Sequence, residues 1–158
     1  MTYIPDSIDT LLLDLIQKDA RLTNAELGKI VELSPSGVQK RLRKLEENGI
    51  IERYVSILDR RQLGYDLLVF VKVIIQNHAA DMVAEFDEAV QGMPEVLESY
   101  RIIGDADYLL KVVVKNRDQF DRFLMEQLLK LTSVSRVSSY VVLKEVKETT
   151  AIGLDHSA

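Results

Sequence analysis

The chain has 158 residues, room for one medium domain or two small ones, and at 47% hydrophobic and 28% charged it has the make-up of a globular protein. It contains no cysteine, which excludes a disulfide scaffold and a thiolate metal site, and no apolar run approaches the ~20 residues of a membrane span. The net charge of −5 is unevenly placed: residues 1–64 carry ten acids and ten bases, residues 65–158 fifteen acids and ten bases. Within 33–64 there are seven bases against four acids, a local basic ridge that can meet phosphate while the acidic half stays off nucleic acid. The N-terminus lacks the basic segment and cleavage site of a signal peptide, so a cytoplasmic location is expected.

Ile8, Leu12, Leu15 and Ile16, with Leu11 beside them, predict a first helix over Ser7–Lys18. Thr23-Asn24-Ala25-Glu26 is a capping box, and the second helix it opens presents Leu27, Ile30 and Val31 on one face. Ser34 and Pro35 open a third helix as N-cap and first residue; it buries Val38, Leu42 and Leu45 and stops at Asn48-Gly49. Ile50–Leu58 alternates loosely and is rich in β-branched residues, so it reads as strand or wing. Three helices and a hairpin make a winged helix-turn-helix over residues 1–58, followed by a linker over 59–66.

Beyond the linker the pattern changes. Strands are predicted over Leu67–Ile75, Glu95–Ile103, Tyr108–Val114 and Arg136–Val146, with helices over Ala80–Gln91 and Arg117–Leu131. Val83, Phe86 and Val90 face inward on the first of these helices, Phe120, Phe123, Leu124 and Leu128 on the second. The order βαββαβ is a ferredoxin-like domain over 67–148, and the whole chain is α+β. A tail over 149–158 is expected to be partly disordered. Helices cover one face of such a sheet, yet Leu67–Ile75 and Tyr108–Val114 are apolar on both faces, so a second copy of the chain is expected on the open one.

At 100° per residue, Ser36, Lys40 and Arg43 lie opposite the Val38/Leu42/Leu45 stripe. With Ser34 and Gln39 they form the surface of a helix suited to the major groove of double-stranded DNA: Gln39 fits adenine, Arg43 fits guanine or phosphate. Arg41 and Lys44 flank this face and suit phosphate, as do Arg53 on the wing and Arg60 and Arg61 after it. Taken alone, the helix is equally a solvated charged face; the capped helix, short turn and wing around it favour DNA.

The second constellation is Tyr100–Tyr108. Asp105 and Asp107 on a glycine turn can hold an ammonium group while turn amides hold a carboxylate, a combination suited to a free amino acid. Aspartate at a turn also serves simply to bond local backbone. His78 and His156 are isolated, and no phosphate-cradling glycine loop or nucleophile elbow is present, so no metal, cofactor or enzymatic activity is expected.

From Ile8 to about Ile152 the chain resembles the Lrp/AsnC (leucine-responsive, feast/famine) family of bacterial and archaeal transcription regulators. The resemblance rests on Gln17–Leu22, Leu33–Ser36, Arg41–Glu46, Gly49–Ile51, Leu63-Gly64, Gly104–Leu110 and Leu143–Lys147, in that order and spacing. It implies dimers joined through their sheets, further assembly into octamers that wrap DNA, and amino-acid effectors bound between dimers. It also assigns Gly104, Asp105, Asp107 and Tyr108 to the effector pocket, with Tyr100 and Ile102 lining it and Thr132–Arg136, including Val134 and Ser135, together with Ser138–Tyr140 completing it from a neighbouring dimer. The apolar Leu97, Ile102 and Val134 favour leucine or methionine. The expected function is an amino-acid-responsive, sequence-specific regulator of amino-acid metabolism genes, acting on the nucleoid. The alternative is an architectural, nonspecific DNA-wrapping protein without ligand control, which predicts a steep salt dependence.

Overall fold

A computed structural model describes residues 3–155; His156, at the end of the tail, lies outside them. The chain forms two compact units, one comprising the residues up to Ile57 and those from Lys147 onward, the other Leu58–Val146.

The first unit holds α1 (Ser7–Lys18), α2 (Asn24–Val31) and α3 (Pro35–Glu47). Each start is capped. Thr23 and Glu26 form the expected box, Ser34 Oγ accepts from the Gly37 amide at 3.1 Å, and Asp6 and Asp9 form a further box that opens α1. The helix α3 ends in paired backbone bonds from Gly49 N to Glu46 O and Ile50 N to Leu45 O, both 2.9 Å, which require the left-handed Gly49 (φ 70°). Leu12, Leu27, Val31 and Val38 make the core, with Leu42 packed at its margin.

Ile30, expected on the inner face of α2, is 50% exposed. The inner position is taken instead by Gly28, whose carbonyl accepts from the Leu33 amide at 2.9 Å as the chain turns back into α3. A Cβ at position 28 would lie 2.5 Å from the Leu33 carbonyl oxygen, so only glycine lets the turn close. The same turn holds Glu32 in the left-handed region at φ 56°. Residues 50–58, read as strand or wing, form no strand here. Among the described residues no segment offers them a ladder, and Val55 and Ile57 stay exposed.

The second unit is a four-stranded antiparallel sheet in the order β2-β3-β1-β4, built from β1 (Leu67–Ile75), β2 (Val96–Arg101), β3 (Tyr108–Val114) and β4 (Val134–Val141), with α4 (Ala80–Gln91) and α5 (Arg117–Arg122). Alternate residues of the central strands, Val69, Val71, Val73 and Leu110, Val112, Val114, pack against Phe86, Val90, Phe123 and Leu128. The helix predicted over Arg117–Leu131 is not uniform: after Arg122 it widens into a π turn (Phe123–Gln127) and ends in a 3₁₀ turn (Leu128–Lys130). The wide turn bonds Leu128 N back to Phe123 O and brings two core residues five apart onto one face, where a regular α-helix would set them about 140° apart. Likewise β4 stops at Val141 rather than Val146, because β1 begins at Leu67 and the last bond available is Val142 N to Leu68 O. Among the described residues no helix is long and apolar enough to cross a membrane.

Part of the tail is tied down. The Gln17 side-chain amide accepts from Ile152 N at 2.7 Å and donates to Ile152 O at 3.2 Å, fixing the C-terminal segment on the first unit.

Gly28→Ala is expected to lower unfolding stability by about 1–3 kcal/mol through the forced clash. Glu32→Gly is expected to raise it by roughly 0.5–1 kcal/mol by relieving the left-handed residue. Urea denaturation of both variants checks the two signs together.

Candidate nucleic-acid interface and effector site

On α3, Ser36, Gln39, Lys40, Arg43 and Lys44 are all exposed, opposite the buried Val38 and Leu45. Arg43 Nε donates to Glu47 Oε1 at 2.8 Å, an exposed pair one turn apart. Such a pair is worth about 0.3–0.5 kcal/mol, whereas a bidentate contact to a base discriminates by about 1–3 kcal/mol, so Arg43 can exchange one for the other. The ammonium of Lys44 stands 4.2 Å over the Tyr3 ring. Arg53 is exposed, with Glu52 4.0 Å away.

Arg41 is a correction. It was expected to contact phosphate, but it lies at the edge of the buried stripe and donates to Asp6 Oδ2 at 2.7 Å and Asp9 Oδ1 at 2.8 Å. Asp9 is fully buried and also accepts from the Tyr3 hydroxyl, a bond that helps push the Tyr3 group up to about 12. The Asp9 amide and the Arg41 guanidinium hold the Asp6 carboxyl below its usual range. Arg41 therefore joins α3 to the start of α1 and fixes the angle at which the outer face is presented. Tyr54, which the sequence did not single out, bonds Glu46 Oε1 at 2.9 Å and pins the segment after α3 back onto that helix. Burial and Glu46 together raise its hydroxyl to about 12. Arg60 and Arg61, also expected at phosphate, both donate to Glu145 in the second unit.

The second constellation is organised around the turn between β2 and β3. Ile102 N donates to Asp107 O at 2.9 Å and closes a loop through Ile103, Gly104, Asp105 and Ala106. Asp107 N bonds Val73 O at 3.0 Å, so the turn is tied to β1. Neither carboxylate is unpartnered. Both oxygens of Asp105 accept from Lys72 Nζ, at 2.9 and 2.7 Å, and the Lys72 ammonium lies 5.5 Å from the Tyr140 ring centre. Asp107 Oδ2 accepts from Ile75 N at 2.9 Å, and Oδ1 accepts from the His78 ring at 2.7 Å. The Lys72 bond holds the Asp105 carboxyl below its usual range. Burial opposes ionisation of Asp107, but His78 and the Ile75 amide outweigh it and hold that carboxyl low as well.

One further effector-site expectation is corrected. Tyr108 is a core residue: its ring is buried 4.4 Å from that of Phe86, and its hydroxyl bonds Asp87 Oδ1 at 2.8 Å. Burial and that carboxylate raise it to about 12. Tyr100 points along the open sheet face and donates to Glu98 at 2.7 Å, while Glu98 also accepts from Lys111 at 3.0 Å. Val134 pairs in register with Ile75 and Ser135 falls at the bulge beside it, so both lie one strand from Asp107 within the same chain. His78, read from the sequence as isolated, is brought to the turn by the β1–α4 loop; only the fold reveals that placement.

Residues 5–52 match the profile of a winged helix-turn-helix DNA-binding domain, and residues 68–152 that of the Lrp/AsnC ligand binding domain. The chain is 40% identical over 144 residues to the leucine-responsive regulatory protein of Escherichia coli K12, covering 91% of this chain and 88% of that one. It is similar in structure to a transcriptional regulator of Neisseria meningitidis solved with L-methionine (TM-score 0.93, 36% identity, 97% and 99% of the two chains). It is also similar to E. coli AsnC (TM-score 0.87, 26% identity, 94% and 99%).

Lys40→Ala with Arg43→Ala is expected to weaken DNA binding in a gel shift at least tenfold with the melting temperature unchanged, and to flatten the salt dependence by up to about two phosphate contacts. Arg41→Ala is expected instead to destabilise the fold by about 1–3 kcal/mol, by stripping the buried Asp9 carboxylate of its charged partner.

Proposed function

We infer that this chain, which belongs to the Lrp/AsnC family of transcription regulators, reads DNA with α3 and responds to a free amino acid at the Gly104–Asp107 turn. The observation that carries the DNA half is the outward set Ser36, Gln39, Lys40 and Arg43 on a helix whose angle Arg41 fixes from behind. Gln39 and Arg43 have the donors and acceptors to read base edges; Lys40, Lys44 and Arg53 supply charge for phosphate. Arg41 and Tyr108 act as structural supports rather than contacts.

The effector half rests on the turn. Its two aspartates are held on the rigid end of the sheet, where a carboxylate can meet an α-ammonium group and backbone amides can meet an α-carboxylate. The name of a relative that covers nearly the whole chain, and a structural neighbour holding L-methionine, make leucine and methionine the first effectors to try. Half-buried Phe70, Ile74 and Leu109 on the open face of the sheet support dimerisation against a second copy. A dimer presents two α3 helices to half-sites about 34 Å apart, and the family resemblance extends this to octamers on the nucleoid in the cytoplasm. Effector binding then shifts assembly or DNA affinity, and DNA must shift effector affinity by the same factor. A DNA-wrapping protein without ligand control is not favoured, since residues 68–152 match a ligand-binding domain.

A thermal-shift screen of all twenty amino acids at millimolar concentration is expected to raise the melting temperature with one or two apolar ones. At a hundredfold excess over Kd the stabilisation amounts to about 2.7 kcal/mol. A screen with no shift would count against an effector site at this turn.

A further inference from the structure

The carboxylates of the proposed effector turn already have partners. An incoming α-ammonium group meets no bare carboxylate: Asp105 carries Lys72 on both oxygens, and Asp107 carries His78 on one and the Ile75 amide on the other. Binding at either aspartate therefore requires an exchange of partners, and the two exchanges differ in cost. Lys72 makes two contacts, keeps a permanent charge and is braced by Tyr140. His78 makes one contact, comes from a loop, has a side chain 65% exposed, and need carry no charge when it leaves. Asp107 keeps its Ile75 bond after His78 has gone, so the carboxylate stays aimed.

We propose that His78 is a built-in competitor for the effector's α-ammonium group on Asp107, so that amino-acid binding is coupled to the protonation of this one imidazole. The inference rests on the reading of the Gly104–Asp107 turn as the effector site. A protonated ring holds Asp107 as an ion pair and opposes the effector; a neutral ring donates only a neutral hydrogen bond and yields. Effector affinity therefore rises with pH. The other charged groups on the surrounding elements are Lys72 on β1, Arg101 at the end of β2, Asp105 in the turn, Asp81 in the first turn of α4 and Arg136 on β4. Carboxylates, ammonium and guanidinium groups ordinarily keep their charge across pH 5.5–7.5, so a pH response there that His78→Ala abolishes is assigned to the imidazole. The regulator would thus report an amino acid weighted by pH.

The test is calorimetric titration of the full chain with L-leucine and L-methionine at pH 5.5, 6.5 and 7.5, using the wild type, His78→Ala, His78→Lys and Asp107→Asn. The wild type is expected to bind more tightly as pH rises, by at most about tenfold per unit. His78→Ala is expected to bind at least as tightly as the wild type at pH 7.5 and to lose the pH dependence. His78→Lys, a competitor that keeps its charge, is expected to bind several-fold more weakly at every pH. Asp107→Asn retains an acceptor for the Ile75 amide and should lose binding throughout. If Asp107→Asn binds normally, or neither amino acid binds the wild type or His78→Ala, the effector site itself has been misplaced. If Asp107→Asn loses binding but His78→Ala keeps the wild-type pH profile, or binds more weakly, His78 is no competitor and the proposal falls.

Discussion

Strand β1 is bonded along both edges and packed on one face, and the sensing unit follows from that constraint. Its register with β3 sets Val73 beside Tyr108, and its register with β4 sets Ile75 beside Val134. The turn that carries Asp105 and Asp107 is thereby brought to the end of β1, where the Val73 carbonyl and Ile75 amide take hold of it. A one-residue slip would send the apolar set Val69, Val71 and Val73 to the wrong face and remove both anchors at once. Core and site are therefore specified by the same pairing.

Most of this architecture was legible in the sequence because it rests on periodicity and caps. The ends of α1, α4, β1 and β3 follow from local signals, and the Thr23–Glu26 box and the Ser34-Pro35 start are written in adjacent residues. What escaped were features set by distant partners. The end of β4 depends on where β1 begins, and the π turn after Arg122 depends on Phe123 and Leu128 having to share one core. Gly28 looks like a weak point in a helix until the Leu33 carbonyl is seen against it.

The candidate sites were legible to a lesser degree, for an electrostatic reason. A sequence counts charges but does not say which of them are already neutralised. Of the basic residues between Leu33 and Gly64, Arg41 is spent on Asp6 and Asp9, and Arg60 and Arg61 on Glu145. Arg43 has a weak partner it can give up, and Lys40 stands exposed. The ridge that suggested DNA is thus smaller than its composition implied, and better sorted. The Gly104–Asp107 turn errs the other way: His78 carried no local signal, yet it ends 2.7 Å from Asp107.

The bond pair between Gln17 and Ile152 alters how the chain is divided. Among the described residues the N-terminal unit is discontinuous, assembled from those up to Ile57 and those from Lys147 to Asp155, with the sensing unit spliced between its two pieces. The end of the chain is thus an accessory of the DNA-reading unit, although it follows the sensor in sequence. A chimaera that exchanged sensors between relatives would need two junctions, one near Ile57 and one near Lys147. A single cut in the linker would graft a foreign tail onto α1 along with the new sensor.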